Sequence, residues 1–207
     1  MGVLGEGLGW IKREQAGSVR ITGGELRGQK IAVPKGDVVR PTSDRVREAL
    51  FNILGTSVVG ARVLDLFAGS GALGIETLSR GATSVCFVEQ NRMVATSLCG
   101  NIERLGLTTR AKVMTADVLS TLSMLPKDNY DLVLMDPPYG KGYVPKVLSL
   151  VDSLKLVADR ATVVCEVGEK DSVVPQDIGG LLFAERRVYG ETALVFYDWV
   201  VPKQDGL

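Results

Sequence analysis

The sequence contains no histidine. That absence excludes a Ser-His-Asp triad, a Cys-His catalytic pair and every zinc site that needs an imidazole ligand. The three cysteines, Cys86, Cys99 and Cys165, are scattered, and no two of them form a Cys-x-x-Cys pair. We therefore expect neither a disulfide framework nor a bound metal, and we expect thiols in a reducing compartment.

Long apolar runs are absent too. No run approaches the ~20 residues of a membrane-spanning helix, and residues 1–11 lack the positive start and apolar stretch of a signal peptide. The predicted location is therefore cytoplasmic, with no membrane partner. The 207 residues, 45% of them apolar and 23% charged, fit one globular domain or one domain with a small appendage.

The chain has no net charge, with 24 basic and 24 acidic residues, but the charges are unevenly placed. Residues 12–47 carry nine Lys and Arg against four Asp and Glu, a local charge of +5. A basic N-terminal arm on an acidic body predicts a polyanionic partner for the arm. A solvated basic loop with no partner is the alternative.

Short apolar runs alternate with helical patterns from residue 61 onward. Such alternation is typical of an α/β fold in which helices cover both faces of a parallel sheet. The last two β-rich runs flank the short turn Tyr189-Gly190-Glu191, which predicts a closing antiparallel hairpin. The predicted strands are residues 62–67, 84–89, 111–115, 131–135, 161–167, 181–188 and 193–201, and the predicted helices are 72–80, 91–105, 117–124 and 143–156.

The residues ahead of this sheet form a pattern of their own. A short β-hairpin is predicted over residues 19–34, and it is followed by an amphipathic helix with the apolar stripe Val46, Ala49, Leu50, Ile53 and Leu54. We therefore divide the chain into a flexible tail (1–18), a basic hairpin and helix (19–58) and the main α/β domain (59–202).

A glycine-rich loop follows the first strand of the main domain. Gly69, Gly71 and Gly74 form a G-x-G-x-x-G pattern, Asp65 precedes it, and Glu89 ends the next strand. A dinucleotide or S-adenosylmethionine would fit this pattern. The Asp65 carboxylate would repel a pyrophosphate and attract the cationic methionine end of S-adenosylmethionine, while Glu89 would accept hydrogen bonds from the ribose hydroxyls. Glycines needed only for a tight turn are the structural alternative.

Asp117 and Val118 follow the third strand of the main domain. The Asp117 carboxylate can accept a hydrogen bond from an adenine amino group while Val118 packs on the ring. Capping of the next helix explains Asp117 equally well, and one residue can do both.

The fourth strand ends in Asp136-Pro137-Pro138-Tyr139. The prolines fix an extended backbone and lack N–H groups, so the Asp136 carboxylate and the Pro137 carbonyl form a wall of acceptors. Two acceptors that hold both hydrogens of an exocyclic amino group would direct its nitrogen lone pair at an electrophilic methyl group. Tyr139 offers a face on which the base can stack. A Pro-Pro turn without chemistry is the structural alternative.

These motifs resemble the class I S-adenosylmethionine-dependent methyltransferases, which have a Rossmann-like fold. The chain is most similar to the bacterial 16S ribosomal RNA guanine-N2 methyltransferases of the RsmD type, from about Arg20 to Tyr197. The matching segments begin Arg20-Ile21-Thr22-Gly23-Gly24, Arg40-Pro41-Thr42-Ser43-Asp44, Val63-Leu64-Asp65-Leu66-Phe67, Asp136-Pro137-Pro138-Tyr139 and Tyr189-Gly190-Glu191-Thr192.

The resemblance implies a seven-stranded, mostly parallel sheet and methylation of one guanine N2 amino group in 16S rRNA, free or in a small subunit or assembly intermediate. It implies that the base is held by Asp136, Pro137, Pro138 and Tyr139. It implies that the cofactor is held by Asp65, Ala68, Gly69, Ser70, Gly71, Glu89, Gln90, Asp117 and Val118, with Arg40 and Thr42 at the border of its pocket. The basic segment 19–58 then becomes the RNA-binding extension, through Arg20, Arg27, Lys30, Lys35, Arg45 and Arg47.

Three other functions stay open on the sequence. An adenine-N6 methyltransferase acting on DNA or RNA would use the same acceptors. A nicotinamide-dependent oxidoreductase could be built on the glycine loop, although Asp65 and the lack of histidine count against it. A non-catalytic RNA-binding assembly factor could keep the same fold. A monomer is the default expectation.

Overall fold

A computed structural model of the protein describes residues 15–34, 44–171 and 174–200. The strands are β1 (Gln15–Arg20), β2 (Lys30–Pro34), β3 (Arg62–Leu66), β4 (Ser84–Glu89), β5 (Ala111–Thr115), β6 (Tyr130–Met135), β7 (Val157–Gly168), β8 (Asp177–Ile178), β9 (Leu181–Tyr189) and β10 (Thr192–Trp199). The helices are α1 (Asp44–Leu54), a 3₁₀ turn (Gly55–Val58), α2 (Ala72–Ser79), α3 (Arg92–Arg104), α4 (Val118–Leu122) and α5 (Tyr143–Ser153).

The central sheet has the strand order β5-β4-β3-β6-β7-β10-β9-β8. The five strands β3 to β7 pair with one another in parallel. Strand β10 pairs antiparallel with β7, β9 with β10, and β8 with β9. Apolar side chains cover both faces of this sheet, in two separate buried clusters. The predicted mostly parallel sheet with a closing antiparallel hairpin is therefore confirmed.

Two details differ from the sequence prediction. The sheet has eight strands where seven were expected, because the two-residue strand β8 pairs with the outer edge of β9. Strand β7 begins at Val157, four residues before the predicted start. The extra stretch contains polar residues, and a register shift against β6 together with the positive φ of Arg160 (61°) accommodates them.

The N-terminal hairpin shares its core with the main domain. Ile21 and Ile31 are buried in the same cluster as Leu50 and Phe51 of α1 and Ile75 of α2. The proposed boundary near residue 58 therefore lies within one continuous apolar core. Residues 1–14 of the predicted tail lie outside the described residues, and residues 15–18 belong to strand β1, which pairs with β2.

Polar contacts fix the hairpin on α2. The Glu76 carboxylate, which is fully buried, accepts hydrogen bonds from the Thr22 and Gly23 amides (2.9 and 2.8 Å) and from the Thr22 hydroxyl (2.7 Å). Arg80, the residue that follows α2, forms an ion pair with Glu76 at 2.9 Å. Three of the hydrogen bonds to this carboxylate come from the hairpin, so they exist only while the hairpin is docked on α2.

In the described part of the chain, no helix is both long and apolar enough to cross a bilayer. The same residues contain no cluster of three or more Cys, Asp or Glu side chains that could hold a metal ion.

Candidate active site

The candidate site lies where β3, β4, β6 and β7 end, at one edge of the parallel sheet. Leu66, the last residue of β3, pairs with Val88 of β4 on one side and with Met135 of β6 on the other. Met135 in turn pairs with Cys165 of β7. Open α/β sheets bind ligands at the carboxyl ends of their strands. The glycine loop after β3 and the Asp136–Tyr139 segment after β6 are therefore neighbours.

The glycine loop takes backbone conformations that favour glycine. Gly69 and Gly71 have φ values of 55° and 84°. A Cβ at Gly71 would overlap the Leu98 side chain of α3, so this glycine is needed for packing. A Cβ at Gly69 would have no heavy atom within 4 Å. The space beside Gly69 is thus open to a ligand that approaches the backbone closely.

Asp65 lies in the middle of this arrangement and is 2% exposed. Its Oδ2 accepts a hydrogen bond from the Gly74 amide at the start of α2, at 2.9 Å. Burial raises the pKa of Asp65 to about 8; the Gly74 hydrogen bond opposes this increase, and the charge of Glu89 adds to it. A cationic ligand beside Asp65 would favour its ionised form, which fits an S-adenosylmethionine site.

Glu89 connects the end of β4 to the glycine loop. Its Oε2 accepts a hydrogen bond from the Gly69 amide at 2.9 Å, and its Oε1 accepts one from the Asn91 amide at 2.7 Å. A carboxylate has about four acceptor positions, so these bonds leave capacity for ribose hydroxyls. Gln90 follows it and is exposed.

Asp117 caps α4, as the structural alternative predicts. Its Oδ1 accepts a hydrogen bond from the Ser120 amide at 3.0 Å, and the residue is exposed. Val118 is buried in the core beneath it. The predicted adenine contact of these two residues stays a prediction, since an exposed capping carboxylate can still accept a further hydrogen bond.

Pro137, Pro138 and Tyr139 line a cavity of about 170 Å³, directly after Asp136 in the chain. Pro137 is buried, whereas Pro138 and Tyr139 are exposed, Tyr139 by 40%. The Tyr139 hydroxyl donates a hydrogen bond to Glu166 Oε1 at 3.1 Å and lies 3.4 Å from the Thr192 hydroxyl. Burial, followed by the nearby Glu166 carboxylate, raises the pKa of Tyr139, so the phenol stays protonated and acts as a donor.

Two residues of this site were missed by the sequence reasoning. Glu166 is 4% exposed, lines the cavity and is the carboxylate bonded to Tyr139. A charged residue inside the apolar run of β7 is the same signal that drew attention to Asp65, and it could have found Glu166. Phe67 has a positive φ of 60°, and its ring packs edge-on against that of Tyr143, with 5.0 Å between the ring centroids. A positive φ at a residue other than glycine cannot be recognised from the sequence.

The predicted RNA-binding residues are only partly brought together. Arg20, Arg27 and Lys30 line a second cavity of about 550 Å³ on the N-terminal hairpin, beside Asp44 and Glu48 of α1. Arg45 is exposed on α1. Lys35, Arg40 and Thr42 lie outside the described residues.

The structure contradicts the prediction that Arg47 binds RNA. Arg47 is 1% exposed, and its guanidinium donates hydrogen bonds to the Arg20 carbonyl (2.6 Å) and the Asp44 carboxylate (2.8 Å). A side chain buried between α1 and the hairpin cannot present its charge to a phosphate. Arg47 instead joins these two elements.

Comparison with known proteins identifies the family of this chain. The family described as Conserved hypothetical protein 95 matches residues 19–198. The Ribosomal RNA small subunit methyltransferase D of Escherichia coli strain K12 is 36% identical over 183 residues, which cover 88% of this chain and 91% of that protein. The solved structure of the Escherichia coli protein yhhF has a TM-score of 0.80 at 33% identity and covers 89% of this chain and 99% of that chain.

A more distant structure shares the fold. The T. thermophilus 16S rRNA N2 G1207 methyltransferase RsmC, solved with AdoMet and guanosine, has a TM-score of 0.68 at 23% identity, covering 88% of this chain and 50% of that chain. The predicted class I methyltransferase fold and the predicted family are therefore confirmed. The chain belongs to the family described as Conserved hypothetical protein 95, the RsmD family.

Proposed function

We propose that this protein transfers a methyl group from S-adenosylmethionine to the exocyclic N2 amino group of a guanine in 16S ribosomal RNA. The observation that carries the proposal is the pairing of Leu66 with Met135. This pairing brings the glycine loop and the Asp136–Tyr139 acceptors to adjacent strand ends. Membership of a family whose relatives include a Ribosomal RNA small subunit methyltransferase D supports the same activity.

The cofactor half of the proposed site consists of the glycine loop and the acids around it. Asp65 would pair with the cationic methionine end, Glu89 would accept hydrogen bonds from the ribose, and the open space beside Gly69 would admit the ligand against the backbone. Asp117 and Val118 would take the adenine end, completed by Ala68, Ser70, Gly71 and Gln90, with Arg40 and Thr42 at the border. S-adenosylmethionine, when bound there, supplies a methyl group activated by its sulfonium.

The base half of the proposed site prepares a weak nucleophile. The lone pair of an exocyclic amino group is delocalised into the ring, and two acceptors that hold its hydrogens would orient the nitrogen toward the methyl carbon. The Asp136 carboxylate and the Pro137 carbonyl would be these acceptors, and Tyr139 would stack on the base. As the nitrogen–carbon bond forms and the carbon–sulfur bond breaks, one proton leaves the nitrogen, and the Asp136 carboxylate would accept it.

The hairpin would hold the RNA. We propose that residues 19–58 act as the RNA-binding extension of a catalytic domain at 59–202, with Arg20, Arg27, Lys30, Lys35 and Arg45 contacting phosphates. Such contacts give affinity without sequence information, so the choice of one guanine would come from the base cavity and the shape of the RNA. A 16S rRNA substrate, free or in a small subunit or assembly intermediate, also supports a cytoplasmic location.

Methyl transfer to purified ribosomal subunits tests this proposal. The protein and S-adenosylmethionine with a radiolabelled methyl group are incubated with small or large subunits from a strain that lacks the modification. We expect label in the RNA of the small subunit only. Label in the RNA of the large subunit, or no label in either subunit, would contradict the proposed substrate, and an Asp136→Ala protein provides the inactive control.

A further inference from the structure

Glu166 is a buried carboxylate beside the proposed base-binding motif. It lies near the carboxyl end of β7, is 4% exposed and lines the cavity beside Pro137 and Tyr139. Its Oε1 already accepts the Tyr139 hydrogen bond. A carboxylate has about four acceptor positions, so a donor on a bound base can share it with Tyr139.

The strand register places Glu166 next to Asp136. Leu134 pairs with Val164 and Met135 pairs with Cys165, so the next step along both parallel strands reaches Asp136 and Glu166. Neighbouring strands lie about 4.8 Å apart. Asp136 and Glu166 therefore occupy neighbouring positions on the two strands, and Glu166 lines the cavity together with Pro137 and Tyr139.

Two adjacent acceptors match the hydrogen-bonding edge of guanine but not that of adenine. Guanine presents two neighbouring donors, the N1–H and the N2 amino group, whereas adenine presents the N6 amino donor beside the unprotonated N1 acceptor. An N1 acceptor opposite a buried carboxylate would leave both groups without a hydrogen bond. A site whose buried acceptor binds a donor on the substrate strongly rejects an analogue that lacks this donor, because the acceptor is then left unpaired.

We propose that Glu166 is a specificity-determining residue that accepts the hydrogen bond of the guanine N1–H, while Asp136 and Pro137 hold the N2 amino group. This inference rests on the proposed function and extends it. It assigns the preference for guanine over adenine to one carboxylate on β7, outside the Asp136–Tyr139 motif.

The test uses 2-aminopurine, which keeps the N2 amino group but has an unprotonated N1. Two synthetic RNAs that contain the mapped target site are compared, one with guanine and one with 2-aminopurine at that position. The wild-type protein should methylate guanine about ten- to a hundredfold faster, as expected for one lost hydrogen bond to a charged group. Glu166→Gln should reduce the ratio of the guanine rate to the 2-aminopurine rate to about threefold or less. The reason is that a carboxamide can accept a hydrogen bond from guanine N1–H and donate one to the 2-aminopurine N1.

Two control variants separate base recognition from a structural role. Glu169→Gln makes the same change at an exposed residue three positions further on and should keep the wild-type ratio. Tyr139→Phe removes the hydroxyl that bonds to Glu166, and it should lower both rates while keeping their ratio. If Tyr139→Phe narrows the ratio as much as Glu166→Gln does, Glu166 acts only through Tyr139 and the inference is overturned.

The remaining outcomes are equally decisive. An unchanged ratio in Glu166→Gln would overturn the inference, and so would a wild-type protein that methylates both RNAs at equal rates, a result that needs no variant. Formation of N2-methylguanosine by the wild-type protein is scored separately. If no such product forms from the guanine RNA or from small subunits, the proposed function has failed rather than the role of Glu166.

Discussion

Asp65 is a carboxyl group that the fold buries before any ligand arrives. It is 2% exposed, and its pKa of about 8 means that it is mostly protonated at neutral pH in the free protein. The unfolded chain would release this proton near the ordinary value of 3.8. Between pH 3.8 and about pH 8 the folded state therefore binds more protons than the unfolded state. The free energy of unfolding should fall as pH rises through this range.

This protonation predicts a proton release on cofactor binding. A cationic ligand would require the ionised form of Asp65, so binding at pH 7 should release close to one proton, and affinity should rise with pH until it levels off above about 8. Titration calorimetry in two buffers of different ionisation enthalpy measures the release. Asp65→Asn should release no proton in the same range, and a wild-type protein that releases none would show that Asp65 does not face the cation.

Asp136 should act on the base and not on the cofactor. Asp136→Ala removes one of the two acceptors proposed for the amino group, and we expect methyl transfer to fall by about 10²- to 10⁴-fold, the usual contribution of a positioned acid or base. Calorimetry should find cofactor affinity unchanged within about threefold, since no step of cofactor recognition is assigned to this side chain. Loss of cofactor binding would instead place Asp136 in the cofactor half.

At this scale the sequence identifies residues whose chemistry is visible in a local pattern. Asp65 and Glu89 stand out as acids at the ends of apolar strands, and Asp136 stands out beside two prolines. Arg47 shows the limit of such reasoning, because it is basic but buried between α1 and the hairpin. A charged residue within an apolar run could have drawn attention to Glu166, but its position next to Asp136 follows only from the strand register.

The N-terminal hairpin and the main domain are joined by buried polar contacts. Asn101 of α3 is 2% exposed, and its amide accepts a hydrogen bond from the Ala32 amide (2.9 Å) and donates to the Ala32 carbonyl (3.0 Å). The same side chain donates to the Ser70 carbonyl in the glycine loop at 3.2 Å. One residue therefore contacts both the proposed RNA-binding hairpin and the proposed cofactor loop.

Two glycines of the hairpin allow a controlled test of its docking on α2. Gly24 and Gly28 both have positive φ, 77° and 86°. A Cβ at Gly28 would meet open space, whereas one at Gly24 would overlap the Ser79 backbone carbonyl at the end of α2. Gly28→Ala should cost about 1–2 kcal/mol from backbone strain alone, and Gly24→Ala should cost at least about 2 kcal/mol more because the hairpin must move away from α2.

Chemical denaturation of the two variants measures the difference. Equal midpoints would mean that the hairpin contributes no stability through its contact with α2. The sequence predicts a hairpin over residues 19–34, yet it does not reveal the contact, because Gly24 and Ser79 are brought together only by tertiary packing. The early start of β7 was missed for a related reason, since sheet pairing outweighed the polar character of its first residues.

Over the whole molecule, the zero net charge conceals a basic arm of +5 on an acidic body. The structure places three of its basic side chains, Arg20, Arg27 and Lys30, around one cavity. The distribution of charge was readable from the sequence, whereas the assembly of these residues on one surface was not. An arm of this kind would raise RNA affinity through counterion release, and that contribution would depend on salt.

Removing charge from the arm should weaken RNA binding and its salt dependence together. Affinity falls as salt rises, so the slope of log affinity against log salt is negative. Substitution of Arg27, Lys30 and Lys35 by glutamine should make this slope shallower by about 2, since each lost phosphate contact to single-stranded RNA removes about 0.7 from its magnitude. Cofactor affinity should stay unchanged. Fluorescence anisotropy with a labelled RNA, at several salt concentrations, gives the slope.

A matched control carries the same loss of charge elsewhere. Lys127, Lys146 and Lys155 are exposed and lie outside the arm. Their replacement by glutamine should leave the slope near its wild-type value. If both triple variants lower the slope equally, RNA affinity depends on overall charge and not on the arm.

The identity of the methylated nucleoside tests the account most directly. Small subunits methylated by the purified protein are digested to nucleosides, and the labelled species is identified by chromatography and mass. We predict N2-methylguanosine as the labelled product. N6-methyladenosine, or a methyl group on any other atom, would contradict the account.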